Sequence, residues 1–208
     1  VLINTWWTEE EVHDGMRYGL TCDMLRNLRS GDRLWCRIKP GSMEAPSPDQ
    51  PVVCAGIGSG LAPHLAFLRD RVYRCKSGEV PSPAPFSLYF GNRFYAKEFL
   101  YQNELEEYVE AYGKSWFTLH TAFSRDDPSG RKVYVQDLVG RTEDARKLLR
   151  EDRNGMLYVC GNQNLPKPLQ HALVRSFAQK STDQNEIAAE TAVMEDMFVH
   201  GRAQQEVW

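Results

Sequence analysis

Hydrophobic and polar residues alternate along residues 52–208 with two different periods. Short apolar runs rich in β-branched and aromatic residues predict buried β-strands. Between them, apolar residues three or four positions apart predict amphipathic helices. The predicted strands are Val52–Ala55, Phe86–Gly91, Trp116–Phe123, Met156–Gly161 and Ala203–Trp208, and predicted helices are Phe99–Tyr112, Val135–Arg150, Pro166–Gln179 and Glu186–His200. This alternation indicates an α/β fold: an open parallel five-stranded sheet with helices on both faces.

The stretch Val52–Arg71 has the most distinctive local pattern. Gly56, Gly58 and Gly60 follow the first apolar run at alternate positions, and Pro63 suits the first turn of a helix. This order predicts a strand, a tight glycine turn and a helix. Because glycine allows close backbone approach and a helix N-terminus favours an anion, the turn is a candidate phosphate site. Close packing of the strand against the helix is the alternative explanation.

The first 50 residues follow a different pattern. Val1–Trp7 and Arg33–Lys39 have strand-like composition, and Tyr18–Leu28 predicts a short helix between them. A stretch rich in Pro and Ser then predicts a linker up to Pro51. We therefore expect one incomplete domain in residues 1–50 and a nucleotide-binding domain in residues 51–208. The start at Val1 rather than Met suggests the cut edge of a longer protein.

Composition excludes several classes of function. The 208 residues are 42% hydrophobic and 25% charged, with a net charge of −3, which argues against a nucleic-acid binder. No apolar run approaches the roughly 18 residues of a membrane span, and no secretory signal is visible. The five cysteines form no CxxC pair, so we expect no zinc site, no disulfide framework and a cytoplasmic location. A membrane anchor outside this sequence stays open.

Ligands of open parallel sheets bind beyond the carboxyl ends of the strands. The residues that follow the first four predicted strands are glycines, small hydroxyls, amides and two arginines, which suit a phosphate-bearing ligand rather than a metal ion. They are Gly58, Ser59 and Gly60; Asn92 and Arg93; Ser124 and Arg125; and Cys160, Gly161, Asn162 and Gln163.

The third of these groups carries the most specific pattern. Arg125, Arg131 and Lys132 place positive charge at one strand end and its loop. Arginine with serine can hold a phosphate monoester, so this group predicts a site for an adenosine 2′-phosphate and favours NADP(H) over NAD(H). The alternative is a solvated loop in which Asp126 and Asp127 neutralise the basic residues.

Cys160 and Trp208 each allow two interpretations. Cys160 is either a small buried hydrophobic residue or a thiol beside a transferred hydride. Trp208, the last residue given, is either a frayed end or an aromatic lid that stacks on a ligand.

The motifs GIGSGLAP, YFGNR, SR…KVYVQ and YVCG, followed by a terminal Trp, occur in this order between Val52 and Trp208. Together they resemble the C-terminal half of the diflavin reductases, in the ferredoxin–NADP reductase superfamily, and most of all its cytochrome P450 reductase-like members. The resemblance implies the following roles. Gly58, Ser59, Gly60 and Arg93 would contact the pyrophosphate and nicotinamide side; Ser124, Arg125 and Lys132 the 2′-phosphate; and Tyr134 and Gln136 the adenosine. Cys160 and Glu206 would line the hydride-transfer site, with Trp208 stacked on the flavin.

The first 50 residues resemble the same family more loosely. Gly19, Thr21 and Cys22 look like its FAD pyrophosphate turn, which implies that residues 1–50 are the remnant of an antiparallel FAD-binding barrel. The sequence departs from the family at Cys22, where a hydroxyl residue is usual, and at Glu206, where Asp is usual. It contains neither the rest of that barrel nor an FMN domain.

This resemblance implies a flavoprotein oxidoreductase. Hydride would pass from NADPH to FAD, and electrons would then pass through an FMN domain of the same protein to a haem or iron–sulfur acceptor. This fragment alone would be inactive without the missing FAD segment. The alternatives are a non-catalytic module that binds NADP(H) or docks a partner, and a sulfite-reductase-type flavoprotein subunit.

Overall fold

The computed structural model describes residues 20–37, 40–151 and 154–208, apart from the side chain of Cys22. The chain divides into two compact units, Val1–Gly41 and Ser42–Trp208. In the first unit, helix α1 spans Leu20–Arg26. No helix in the described part of the chain is long and apolar enough to cross a bilayer.

The predicted strand at Arg33–Lys39 is wrong over residues 33–37, which have no regular structure. Leu34 is 46% exposed and Trp35 is fully exposed, whereas a strand is stabilised by a bonded neighbour and a buried face. A turn precedes this segment, in which the backbone N–H of Arg29 donates to Asp32 Oδ2 at 2.7 Å. Residues 38–39 and the predicted strand Val1–Trp7 lie outside the described residues.

The second unit is built on five parallel strands. They are β1 (Val52–Ile57), β2 (Phe86–Asn92), β3 (Phe117–Phe123), β4 (Met156–Gly161) and β5 (Ala203–Val207). Their order in the sheet is β3-β2-β1-β4-β5, and every neighbouring pair is parallel. The prediction of an α/β fold with an open five-stranded parallel sheet is therefore confirmed. Strands β2 and β3 lie on one side of β1, and strands β4 and β5 lie on its other side. At this switch in strand order, a crevice opens between the carboxyl ends of β1 and β4.

Helices connect the strands on both faces of the sheet. They are α2 (Leu61–Lys76), α3 (Tyr95–Glu98), α4 (Gln102–Tyr112), α5 (Val135–Val139), α6 (Asp144–Arg146), a π-helical turn (Lys147–Glu151), α7 (Pro166–Phe177) and α8 (Gln184–Val199). The hydrophobic core below α5, α7 and α8 includes Val53, Ala55 and Val159. Helix α2 packs on the other face, where Phe67 lies 5.0 Å from the ring of Tyr158, and an Arg69–Glu104 ion pair joins it to α4.

The prediction of one helix over Val135–Arg150 is wrong, because the segment is broken after Val139. Two contacts with the sheet hold the break. Tyr89 Oη lies 2.6 Å from the hydroxyl of Thr142, and His120 Nε2 lies 2.8 Å from Asp144 Oδ2. Helix α5 therefore ends at Val139, and the polar side chains of Tyr89 on β2 and His120 on β3 set the direction of the chain that leads into α6.

Arg71 attaches the linker to this unit. Its side chain is 2% exposed and donates to the carbonyl oxygens of Ala84 (2.6 Å), Gln50 (3.0 Å) and Ser47 (3.1 Å). Burial lowers the pKa of this guanidinium to about 10, so it is still charged at neutral pH. The linker from Ser47 to Gln50 is thus fixed against the start of β1 and β2.

Candidate functional site

The glycine turn lies in the crevice between β1 and β4. Gly58 has φ +55°, a left-handed conformation that favours glycine, and Gly58–Gly60 form a single 3₁₀ turn before α2. A Cβ atom on Gly60 would stand 2.1 Å from the carbonyl oxygen of Cys160, so the turn lies directly against the end of β4. No side chain caps α2, which leaves the N–H end of the helix open toward this edge. The predicted strand, turn and helix are confirmed.

His64 supports this turn from within the fold. Its ring is completely buried, and Nε2 lies 3.2 Å from the carbonyl oxygen of Ala55. Burial lowers the pKa of this histidine to about 4 despite the opposing effect of the bond to Ala55, so the ring is neutral at physiological pH. Sequence reasoning missed His64 because a lone histidine without metal spacing carries no local signal.

Arg93, after β2, is held by Glu98. The guanidinium forms an ion pair with this carboxylate, with Nε 2.9 Å from Oε1. Glu98 also accepts the backbone N–H groups of Arg93 (3.0 Å) and Phe94 (3.3 Å). Partial burial by itself would raise the pKa of Glu98, but the bonds from Arg93 and Phe94 outweigh it and lower this pKa. The structure therefore places Arg93 at the predicted edge, in a bidentate pair that sequence reasoning did not foresee.

Ser124 and Arg125 extend the sheet ladder past the end of β3. Their backbone N–H groups donate to the carbonyl oxygens of Asn92 (3.0 Å) and Arg93 (2.9 Å). The Arg125 guanidinium carbon lies 6.0 Å from the centre of the Phe94 ring, which turns this exposed cation back toward the end of β2. Both residues thus lie at the same carboxyl edge as the glycine turn, two strands away, or about 10 Å at the usual strand spacing.

The acidic residues of this loop are engaged by other groups. Asp126 accepts the backbone N–H of Tyr95 at 2.7 Å, and Asp127 accepts the N–H and hydroxyl of Ser129 at 2.8 and 2.6 Å. Among the described residues, no ion pair involves Arg125, Arg131 or Lys132. The bonds from Ser129, and then the charge of Arg131, lower the pKa of Asp127, so Asp127 partly offsets the charge of Arg131, while Asp126 is held by Tyr95.

Tyr134 and Gln136 lie at the start of α5, just after Lys132. The backbone N–H of Tyr134 donates to Asp137 Oδ2 at 2.8 Å, and its ring is 43% exposed. A Cβ atom on Gly91 would stand 2.5 Å from a methyl group of Val135, so α5 begins in contact with the end of β2. The exposed ring of Tyr134 and the partly buried Gln136 are thereby placed at the edge that carries Arg125.

Cys160, Glu206 and Trp208 lie at the ends of β4 and β5. Cys160 pairs in register with Glu206 and is 3% exposed. Burial, and then the charge of Glu206, raise the pKa of this thiol to about 11, so it stays protonated. The backbone N–H of Trp208 donates to the carbonyl oxygen of Gly161 at 3.1 Å, and its carbonyl oxygen accepts the N–H of Gln163 at 2.9 Å. The residue is 58% exposed. Trp208 is thus anchored at its backbone and is not a frayed end.

The candidate FAD residues are only partly described. Thr21 is exposed and, with the backbone of Cys22, belongs to α1, whereas Gly19 lies outside the described residues. Within the described ranges, no three His, Cys, Asp or Glu side chains are grouped so that they would hold a metal ion. The candidates of the second unit form two groups along one sheet edge: the glycine turn with Cys160, Glu206 and Trp208, and the cationic group after β2 and β3.

Comparison with known proteins gives consistent matches. Residues 52–171 match the family model of the oxidoreductase NAD-binding domain. The chain is 41% identical over its full length to pyruvate dehydrogenase [NADP(+)], mitochondrial, of Euglena gracilis, of which it spans 11%. It is 36% identical, over 82% of its length, to a probable sulfite reductase [NADPH] flavoprotein component of Schizosaccharomyces pombe, of which it spans 17%. It is 30% identical over its full length to the NADPH–cytochrome P450 reductase of Dictyostelium discoideum, of which it spans 30%.

Proposed function

Because this chain belongs to the oxidoreductase NAD-binding domain family, we propose that it is the NADPH-binding module of a flavoprotein reductase. The observation that carries the proposal is that Arg125 and Lys132 form no ion pair with any described residue and lie at the same sheet edge as the glycine turn and the uncapped N-terminus of α2. Two relatives named for NADPH support it, and one of them is named as a flavoprotein component.

The residues fit the ligand in two parts. The turn at Gly58–Gly60 takes the pyrophosphate, because no side chain caps the N–H end of α2 that follows it. The missing side chain of Gly60 serves packing, since it lets the turn lie against the backbone of Cys160. Ser124, Arg125 and Lys132 bind the 2′-phosphate by charge-assisted hydrogen bonds, and their cations need no rearrangement of an existing ion pair. Arg93 contacts the pyrophosphate region. The exposed ring of Tyr134 and the amide of Gln136 hold the adenosine.

Cys160, Glu206 and Trp208 form the hydride-transfer side. When bound, NADPH supplies a hydride to FAD. The protonated Cys160 thiol offers a small neutral surface beside the transferred hydrogen, and Glu206 adds negative charge next to it. Trp208 is anchored at its backbone and exposed, so its ring would stack on FAD and would have to move aside to admit nicotinamide.

We propose that residues 1–50 are the end of an antiparallel FAD-binding barrel plus a linker, with Gly19, Thr21 and Cys22 at the flavin pyrophosphate, and that residues 51–208 are the NADP(H)-binding domain. Electrons then pass through an FMN domain elsewhere in the same protein to a haem or iron–sulfur acceptor. A cytoplasmic location stays a prediction from the cysteine pattern, and the Euglena relative is named mitochondrial.

Calorimetry with 2′,5′-ADP and 5′-AMP tests the proposed function. We expect 2′,5′-ADP to bind more tightly, and Arg125→Ala to weaken that complex by about 1.5–3 kcal/mol, because a hydrogen bond between charged groups is lost. Lys114→Ala is the matched control, since it removes one exposed cation that precedes β3 at the opposite edge. Equal, weak binding of both nucleotides would contradict a 2′-phosphate site.

A second candidate is a module that delivers hydride to NADP⁺. It is favoured by the 41% identity to a pyruvate dehydrogenase named for NADP(+), which extends over all 208 residues. The same residues would bind the nucleotide whether hydride leaves NADPH or is delivered to NADP⁺. The two candidates therefore differ in the electron donor or acceptor and not in the nucleotide site. A purely nucleotide-binding or partner-docking module is the third. Co-expression with a flavin segment distinguishes it, because a colourless product that binds nucleotide without reducing ferricyanide favours the non-catalytic module.

A further inference from the structure

The ring of His64 lies directly beneath the glycine turn. It bridges the first turn of α2 and the last residues of β1, with Nε2 3.2 Å from the carbonyl oxygen of Ala55. A Cβ atom on Gly56 would stand 2.8 Å from His64 Cδ2 and 2.9 Å from the carbonyl oxygen of Gly60. The ring therefore touches the strand on one side of the turn while its own backbone belongs to the helix on the other side.

The turn is confined from a second direction by β4. The position of a Gly60 Cβ is 2.1 Å from the Cys160 carbonyl oxygen and 3.0 Å from the Gly161 nitrogen. These neighbours are backbone atoms of a central strand, which cannot yield as a flexible side chain can. The turn is thus held between the backbone of β4 and the strand–helix junction in which the His64 ring is packed.

The chemistry of the ring distinguishes it from a hydrocarbon of similar size. It is neutral, and its one N–H, assigned to Nε2, donates to Ala55, while Nδ1 is buried without a partner. A hydrophobic ring would pack in the same space but would leave the Ala55 carbonyl without this donor. The bond fixes the ring plane, and with it the surface on which Gly56 rests.

We infer that His64 is a positioning residue for pyrophosphate binding, because it fixes the turn at Gly58–Gly60 relative to the end of β1. This inference rests on the proposed function. It separates the two parts of the nucleotide site: His64 acts on the turn, whereas Arg125 and Lys132 are positioned by β3 and its loop. A change at His64 is therefore expected to act on ligands that contain a pyrophosphate and not on the 2′-phosphate end.

The test compares two ligands on the full chain by calorimetry. NADP⁺ spans both parts of the site, whereas 2′-AMP carries only the adenosine and the 2′-phosphate. We expect His64→Ala to raise the Kd for NADP⁺ roughly tenfold, the size of one weakened hydrogen bond to a charged group, and to change the Kd for 2′-AMP by less than about twofold. His64→Phe, which restores the ring volume against Gly56 but not the bond to Ala55, is expected to recover only part of the affinity for NADP⁺.

Leu65→Ala is the matched control. It removes a buried side chain from the same helix and lowers stability, but the atoms nearest an added Cβ on Gly56 belong to His64 and Gly60, so the ratio of the two Kd values is expected to stay that of the wild type. If His64→Ala does not fold, His64→Asn, whose amide has a shorter reach, must show the same selective loss. If His64→Ala weakens the binding of both ligands equally, or leaves the ratio of the two Kd values unchanged, the positioning role of His64 is wrong, but the proposed function stands. If the wild type binds neither ligand, the proposed function fails, and the inference fails with it.

Discussion

Gly60→Ala tests whether the turn is the pyrophosphate site, because it adds a single methyl group at the point of closest backbone approach. Gly60 has φ −62°, so alanine adopts its backbone conformation without strain and the effect is steric. An ordinary contact begins at 3.4 Å, and the added carbon would stand 2.1 Å from the Cys160 oxygen, so the turn must move by about 1.3 Å (3.4 − 2.1).

A shift of this size cannot be absorbed by the neighbouring atoms, which belong to the backbone of β4. Overpacking of this kind costs about 1–3 kcal/mol of unfolding free energy. The same shift moves the backbone N–H groups away from a bound phosphate, and a loss of about 1.5–3 kcal/mol per charged hydrogen bond raises the Kd for NADP⁺ at least tenfold. Urea denaturation measures the first quantity and calorimetry the second.

The matched control is Gly78→Ala, in the loop after α2. Gly78 has φ +76° and nothing lies within 4 Å of an added Cβ atom, so alanine is strained there by about 1–2 kcal/mol without a clash. The two variants are thus expected to lose similar stability, while only Gly60→Ala loses affinity for NADP⁺. Binding of NADP⁺ by Gly60→Ala with wild-type affinity would refute the assignment of the turn to the pyrophosphate.

Three further predictions concern buried polar groups. Arg71→Met is expected to lower the unfolding free energy in urea by at least about 3 kcal/mol, because the linker carbonyls lose a charged donor, whereas Arg74→Met, on the exposed side of the same helix, changes it little. The folded-state pKa of His64, about 4, lies below its unfolded value of 6.5, so the unfolded chain binds more protons between these values and stability falls as pH falls from about 6.5 to 4. His64→Phe is expected to remove on the order of 3 kcal/mol of this dependence in urea titrations, and parallel pH profiles of the two proteins would contradict the neutral buried ring. Because the buried Cys160 thiol has a raised pKa of about 11, iodoacetamide at pH 8 should modify exposed Cys36 well before Cys160, and mass spectrometry that finds Cys160 modified first would disprove its burial.

The positions of the strands were predictable because a parallel sheet buries both faces, so each strand is a short continuous apolar run. The glycine turn was also predictable from local sequence, because three glycines at alternate positions directly follow the first apolar run. The break in the helix after Val139 was not, because Thr142 and Asp144 are held by Tyr89 and His120, which are more than 20 residues away in sequence. Local periodicity contains no information about such pairs.

The candidate site shows the same division between local and long-range information. A motif places Arg125 and Lys132 at a strand exit, but the sequence does not show which nearby carboxylates neutralise them. In the structure, Asp126 and Asp127 accept hydrogen bonds from Tyr95 and Ser129, and of the three cations it is the charge of Arg131 that helps lower the pKa of Asp127. His64 was missed because its importance comes from the close approach of Gly56, which depends on the packing of α2 and not on any residue spacing.

The charge distribution along the edge explains why the 2′-phosphate is the discriminating group in this proposal. Arg93 is already neutralised by Glu98, so a phosphate near β2 must compete with a carboxylate that also holds two backbone N–H groups. Arg125 faces no such competitor among the described residues, and the Phe94 ring orients it without removing its charge. The free energy gained by adding a phosphate dianion is therefore largest at the exit of β3, because no existing ion pair has to be broken there. Arg93 and Arg125 lie at the same edge of the sheet, but of the two only Arg93 has an ion-pair partner among the described residues. Selectivity for NADP(H) over NAD(H) then follows from the uncompensated charge of Arg125.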